Sequence, residues 1–426
     1  MQLENFNPIQ NTALHPGKSV RLAPVDLQSI KLDVPLPFGL VDSRGILLAH
    51  KGYVFQTEQN LINLSNRGSG FFVDFSDLSE PQLRLAEKAY VNQLLKKLRS
   101  QDSLGELSKV HVKYANDLAQ EDAGERAIDW LNMVEICNAM LRTRDSVFFH
   151  QRLESIIAIL TRQVNVSPDE PLLALFYLSE RNPQLYSATH CLLVCLICVL
   201  TASSVLHWSE SDLDLLMRCA LTMNIGMVDL QDDLSVQKGP TDLSQKFLIR
   251  EHCNLSSQIL EMFGVEDQDW LAVVRGHHAI VTHPLQSEST SDRLIGLLQR
   301  ADIFSAKLSS RVSRNAQHSS LAMKSIYFDK YLKPDAVGAA IIKAVGIYRP
   351  GSFVKLASGE VALVIRRGRN TATPKVAAIL NKDGIPIAVV AVRNTADKKY
   401  AVISSVPSIS LNVTLNLERM LQLGSQ

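Results

Sequence analysis

The run "CLLVCLICVLTASSVL", Cys191–Leu206, limits what this chain can become more than any other stretch. It is apolar enough to suggest a membrane span. It is, however, shorter than the roughly 20 residues a bilayer requires, it is bounded by His190 and His207, and it carries Thr201, Ser203 and Ser204. The reading is therefore a buried core helix with no membrane span, around which other elements must pack.

The flanking sequence supplies those elements. Helical periodicity runs from Gly124 to Val345, where "LESIIAILTRQV", "LIREHCNLSSQILEMF" and "SDRLIGLLQRADIFSAKLSSRV" repeat apolar residues at i, i+3 and i+4. Strands and helices do not alternate, which excludes an α/β fold. Before it, Val20 to Phe75 is strand-like, with turns at Ser43-Arg44-Gly45 and Lys51-Gly52; "EPQLRLAEKAYVNQLLKKL" from Glu80 is helical. After it, "SFVKLASGEVALVIRRG" and "VAAILNKDGIPIAVVAV" alternate about Ser358-Gly359 and Asp383-Gly384, as antiparallel hairpins do. The expected fold is mainly α, a helical bundle between a small N-terminal β-rich module and a C-terminal antiparallel β extension. The expected segments are residues 1–78, a helical connection at 79–123, the helical domain at 124–345 and the β extension at 346–426.

Composition narrows the function. Forty-four Lys and Arg against 43 Asp and Glu leave a formal charge of +1, so gross charge predicts neither a nucleic-acid polymer nor an anionic membrane as partner. "MQLENFNPIQ" lacks the basic and apolar parts of a secretory signal. Cys191, Cys195, Cys198, Cys219 and Cys253 lie in apolar helical sequence and read as buried thiols in a reducing cytosol, which gives a cytoplasmic expectation. Cys191, Cys195 and Cys198 have the C-x3-C-x2-C spacing of an iron–sulfur loop, but at i, i+4 and i+7 they share one helical face, and core packing is the preferred reading. "IRRGRN", Ile365–Asn370, groups three arginines at a turn; a solvated hairpin tip is preferred over a phosphate contact.

Polar chemistry concentrates in the helical domain. His190 heads one helix, His252 lies inside a second, His277 and His278 close a third, and Asp302 lies within a fourth. Imidazole and carboxylate from separate helices are how α-folds build di-metal centres, although any one such residue alone is more commonly structural.

Five segments in order, "YSATHCLLVCLICVL", "ALTMNIGMVDL", "LIREHCNLSSQIL", "VVRGHH" and "QRADIFSA", resemble an HD-GYP domain over Leu172 to Val345. "LDVPLPFGLVDSRGILLAHKGYVF" is similar to a module that precedes such domains, and "VGIYRPGSFVKLASGEVALVIRRG" to a segment that follows them. The resemblance implies a helical hydrolase of the HD superfamily that binds two or three divalent metals and cleaves cyclic di-GMP. It matches His190 to the first histidine ligand, His252 to the next after the His-Asp pair, His277 and His278 to the paired histidines, and Asp302 to the late aspartate. The His-Asp pair itself falls on Met223 and Asn224, and the following phosphate-contacting lysine on Met227. Ala279 stands at a glutamate position, and of the Asp-Gly-x-Gly-Tyr-Pro loop only Pro284 in "IVTHPLQS" corresponds.

Those replacements remove the chemistry of a two-metal hydrolase. Two dications about 4 Å apart repel by some 17 kcal/mol at an effective dielectric of about 20. The neutral amide of Asn224 cannot supply the bridging charge that offsets this. Met223 offers a soft thioether where nitrogen or oxygen is needed, and Met227 removes a cation. The expectation is a degenerate, non-catalytic signalling protein of a bacterial system, acting as a cyclic-di-GMP-related receptor or a scaffold for a protein partner. No cofactor is expected, with one divalent ion (zinc, iron or manganese) at His252, His277 and His278 as the second reading. Asp229, Asp232 and Asp233 are further candidates to swing toward such an ion. Arg311 and Arg314 are candidate phosphate contacts. The alternative function is a metal-dependent phosphodiesterase hydrolysing cyclic di-GMP, and a homodimer is left open.

Overall fold

A computed structural model describes residues 22–25, 30–36, 38–42, 46–57, 59–60, 71–74, 128–309, 311–312, 319–328, 333–407, 411 and 415–425. The helical connection expected at 79–123, the Ser43-Arg44-Gly45 turn and Arg314 lie outside them. The described residues form two compact units. One falls within Met1–Ser100 with Asp242–Phe247, the other within Gln101–Thr241 and Leu248–Gln426.

In the first unit, β1 (Leu22–Val25), β2 (Leu40–Val41), β3 (Leu47–Ala49) and β4 (Phe71–Asp74) form an antiparallel sheet in the order β1-β4-β2-β3. Val25, Leu36, Leu40, Ala49, Phe55, Phe71 and Val73 close its small core. The Lys51-Gly52 turn forms as expected: Tyr53 N–H donates to the His50 carbonyl at 3.1 Å, and Gly52 takes φ +86°, where a side chain would be strained.

The second unit is mainly helical, as the periodicity requires. Its helices are α1 (Trp130–Arg142), α2 (Ser146–Val166), α3 (Asp169–Arg181), α4 (Tyr186–Thr201), α5 (Glu210–Thr222), α6 (Val228–Val236), α7 (Leu243–Met262, which belongs to this unit from Leu248 on), α8 (Gln268–Gly276), α9 (Thr290–Leu308), α10 (Ser319–Tyr327) and α11 (Ala336–Val345). Helix α4 carries the apolar run and is buried at every residue, enclosed by α1, α3, α5, α9 and α11. Each fully buried Leu, Ile or Val along it contributes about 1.5–3 kcal/mol relative to exposure. With the short helical turns on either side the stretch runs over Pro183–Leu206, 24 residues, longer than the apolar run alone implied; by length and composition it passes for a membrane span, but most of it is buried inside the protein. Cys191, Cys195 and Cys198 pack in that core, and Cys191 Sγ lies 3.3 Å from Cys137 Sγ on α1.

Strands β5 (Phe353–Leu356), β6 (Val361–Arg366), β7 (Lys375–Leu380), β8 (Pro386–Asn394) and β9 (Val402–Val406) form the C-terminal antiparallel sheet, ordered β8-β7-β6-β5-β9. Both expected turns are present, with Gly359 at φ +87° and Gly384 at φ +77°. A last helix, α12 (Leu417–Ser425), sets Met420 against the sheet beside Leu173 of α3. Three side chains tie sheet to bundle. Buried Arg349 lies 3.8 Å over the Phe176 ring and 3.8 Å from Glu180, and Arg367 Nε donates to Asp169 at 2.5 Å. Arg366 stands 3.8 Å from the same Asp169 carboxylate. Of the arginines of "IRRGRN", Arg366 and Arg369 are exposed, as a solvated hairpin tip requires, while half-buried Arg367 is held by a carboxylate on α3, a partnership no local pattern announces.

Candidate functional site

Helix α7 turns the stripe of Leu255, Ser256, Ile259 and Leu260 inward, and His252 continues it toward the N-terminus, which places its imidazole inside. Helix α8 begins at Asp267, whose carboxylate caps Trp270 N at 3.0 Å, and buries Trp270, Leu271, Val273 and Val274. His277, three residues past Val274, extends that stripe beyond the helix end and is fully buried.

The two stripes meet at their histidines. His252 Nε2 and His277 Nε2 lie 3.1 Å apart. His278 is exposed, with its ring 4.3 Å from that of His277 and 5.0 Å from that of His252 between centroids. Cys253 Sγ is 3.5 Å from His252 Nε2 and 4.0 Å from His277 Nε2. One ligand atom from each of the four residues lies within 4.8 Å of all the others. The three histidines were legible in the sequence; Cys253 was not. Read as one more buried core thiol, it is only half-buried and stands in the cluster. A neighbour one residue along a helix projects about 100° away, so periodicity gives no sign of it. Adjacency to a candidate ligand is the signal that was there.

Backbone carbonyls fix both inner rings. His252 Nδ1 donates to Ile249 O at 2.5 Å, and His277 Nδ1 donates to Val274 O at 2.7 Å. A carbonyl only accepts, so each Nδ1 carries a proton and each Nε2 is left to the cluster. Burial, then the neighbouring His278 and His252, pushes the pKa of His277 down to about 3; burial likewise lowers that of His252. The rings are neutral near pH 7, with their Nε2 lone pairs converging.

His190 and Asp302 form a second group. His190 Nε2 donates to Asp302 Oδ1 at 2.8 Å, and its Nδ1 accepts from the Ser305 hydroxyl at 3.1 Å. Burial alone would raise the Asp302 carboxyl, but the His190 hydrogen bond, with the favourable electrostatics of the surrounding imidazoles, holds it at about 2. Tyr186, one turn before His190, stacks on it at 5.5 Å and 12°. Arg311 donates from Nη2 to the Tyr186 hydroxyl at 2.8 Å and lies 4.7 Å over its ring. Sequence reasoning missed Tyr186, though an aromatic at i−4 shares the histidine's helical face.

The Met223–Met227 turn is wedged between the histidine-bearing helices. At its start Trp270 Nε1 donates to Thr222 Oγ1 at 2.9 Å, and at its end Gly226 N–H donates to Ser256 Oγ at 3.0 Å. A Cβ on Gly226 would stand 2.7 Å from Ser256 N and 3.0 Å from His252 O, so only glycine permits this approach. Met223 is fully buried, Asn224 is 9 % exposed and Met227 is half-buried. A thioether and a neutral amide on this wedge do not fit a binuclear centre.

Asp229 and Asp232 are committed elsewhere, against the expectation that they could swing toward an ion. Arg142 at the end of α1 donates to both carboxylates, and Ser187 N–H donates to Asp232 Oδ1 at 2.7 Å. Burial raises the Asp232 carboxyl, against Ser187 and Arg142, which favour its charge. Asp233 is exposed. Pro284 packs on α9, where Gly296 leaves room for it: a Cβ there would fall 2.3 Å from Pro284 Cβ. Gln299 Nε2, also on α9, donates to Ala279 O at 3.1 Å, so the loop after His278 is fastened at both ends.

No family model matches this chain, and no curated protein matches it. Among solved structures it is similar to Bd1817, a HDG"Y"P protein from Bdellovibrio bacteriovorus, at 12% identity and a TM-score of 0.39, over 76% of this chain and 98% of that one.

Proposed function

We propose that this chain is a degenerate HD-GYP-type signalling protein that does not hydrolyse cyclic di-GMP and acts as a receptor for a related ligand or as a scaffold for a protein partner. The observation that carries the reading is the wedge. Where a two-metal hydrolase needs imidazole and carboxylate, Met223 is fully buried between the helices bearing His252 and His277, with Asn224 beside it. Among the described residues, the carboxylates nearest in sequence are held by Arg142. His190 and Asp302, which the resemblance matches to two ligands, bond to each other. A frame that keeps its packing while its reactive groups change can still present a pocket or a surface.

Cyclic di-GMP as the ligand class rests on the sequence resemblance. Arg311 is the phosphate contact we assign, because its Nε has no hydrogen-bond partner among the described residues while its Nη2 is oriented by Tyr186. Arg314 remains a second assignment.

The test is direct. Purified full chain is incubated with cyclic di-GMP and, separately, manganese, iron or zinc, and product is measured by chromatography; calorimetry with the same nucleotide measures binding. The expected result is no turnover, with binding that weakens on Arg311→Ala if the receptor role holds. Turnover by the native chain would overturn the reading in favour of a metal-dependent phosphodiesterase. Neither turnover nor nucleotide binding would leave the scaffold role.

A further inference from the structure

The Nε2 atoms of His252 and His277 face each other at 3.1 Å, and neither can turn away because each ring is held at Nδ1 by its own helix. Two nitrogen lone pairs at that distance repel unless a positive centre lies between them. A shared proton is one such centre; a metal ion is the other. The positions of the two remaining donors separate these cases, because a proton needs no third or fourth ligand.

Around a tetrahedral zinc ion, bonds of about 2.0–2.1 Å to nitrogen and 2.3 Å to sulfur require edges of about 3.3–3.4 Å between nitrogens and about 3.5–3.6 Å between nitrogen and sulfur. The chain sets its nitrogen pair at 3.1 Å and its sulfur at 3.5 and 4.0 Å from them. His278 supplies a fourth donor, with all four ligand atoms within 4.8 Å of one another. The carbonyls behind His252 and His277 are the outer partners that orient metal-binding imidazoles and raise their basicity.

We propose that Cys253, His252, His277 and His278 hold a single zinc ion in a closed site with four protein ligands. The inference goes beyond the reading above and does not depend on it, since a chain with no ligand and no partner could still hold the ion. Cys253 is the decisive residue. A thiolate selects zinc or cobalt over manganese or magnesium, and as a fourth protein ligand it fills the position that a hydrolytic site keeps open for water. On binding, the Cys253 thiol gives its proton to solvent and forms the sulfur–metal bond, with no change of oxidation state. The ion would then tie α7 to the loop after α8. Such a site is structural.

The experiment uses the full chain, stripped with a chelator and titrated with cobalt(II) under reducing conditions. The expected result is one equivalent bound, with the visible bands of tetrahedral cobalt and a thiolate-to-cobalt charge-transfer band, all abolished by zinc and unaffected by manganese. Cys253→Ser is expected to lose the charge-transfer band and weaken cobalt binding at least tenfold. His278→Ala is expected to weaken binding similarly, and because His278 is exposed it keeps the proposal testable if the Cys253 variant does not fold. Cobalt bound without the charge-transfer band, two ions per chain, or no ion at all would each overturn the proposal. Nucleotide turnover is read in a separate assay, so failure here and failure of the functional reading are distinct results.

Discussion

The histidine cluster and the Met223–Met227 turn differ in the chemistry they carry. At the end made by α7 and α8, three imidazoles and a thiol converge, their inner rings aimed by backbone carbonyls. The Met223–Met227 turn instead carries a thioether and a neutral amide, and it is clamped by Thr222 to Trp270 and by Gly226 to Ser256. Backbone approach and charge are thus separable properties of one site. Glycine contact and helix packing can hold a shape that the charge of its side chains does not determine.

The largest expected effect breaks the clamped end. Gly226→Val forces a side chain into Ser256 N and His252 O, backbone atoms that cannot yield, and should cost about 3 kcal/mol or more in denaturant unfolding. A loss under about 1 kcal/mol would mean that the turn is not held as described.

A smaller effect comes from introducing metal-ligating groups at the turn. The double change Met223→His, Asn224→Asp places an imidazole and a carboxylate in the wedge. Without metal it should lower stability by about 2 kcal/mol, the price of buried polar groups with incomplete partners. With manganese or zinc added, elemental analysis should show one more ion per chain than the parent binds. Failure to gain that ion would mean that the wedge does not present these side chains to a common ion.

The smallest effect tests the converging end through pH. His277 titrates near 6.5 when unfolded and at about 3 when folded, so below pH 6.5 the unfolded chain binds the extra proton. Stability from this group is fully present above pH 6.5 and is lost as pH falls toward about 3. Metal-free protein should therefore lose about 1 kcal/mol between about pH 6 and pH 5, since one proton is worth about 1.4 kcal/mol per pH unit at the limit. His277→Gln should flatten that slope.

Much of this architecture was legible beforehand because it is written in local period. The 3.6-residue stripes marked the bundle, alternation marked the C-terminal sheet, and an unbroken apolar run marked α4 as its centre. His252 and His277 could be placed because each extends such a stripe. What escaped depends on partners far along the chain. Arg142 meets Asp229 and Asp232 across 87 and 90 residues, and Arg367 meets Asp169 across 198. No pattern of spacing encodes a cation's choice among distant carboxylates. Cys253 escaped for the opposite reason: it sits directly beside a candidate ligand, where helical projection sends it to a different face.

The hydrogen bonds from His252 and His277 to carbonyls three residues earlier on their own chain segments carry a consequence for inheritance. The pointing direction of each ring is written into the axial rotation of the helix that bears it and owes nothing to the residue opposite. Substitutions around the rings can therefore accumulate without defocusing them, and a descendant that gained one suitable neighbour would find the optics already aligned.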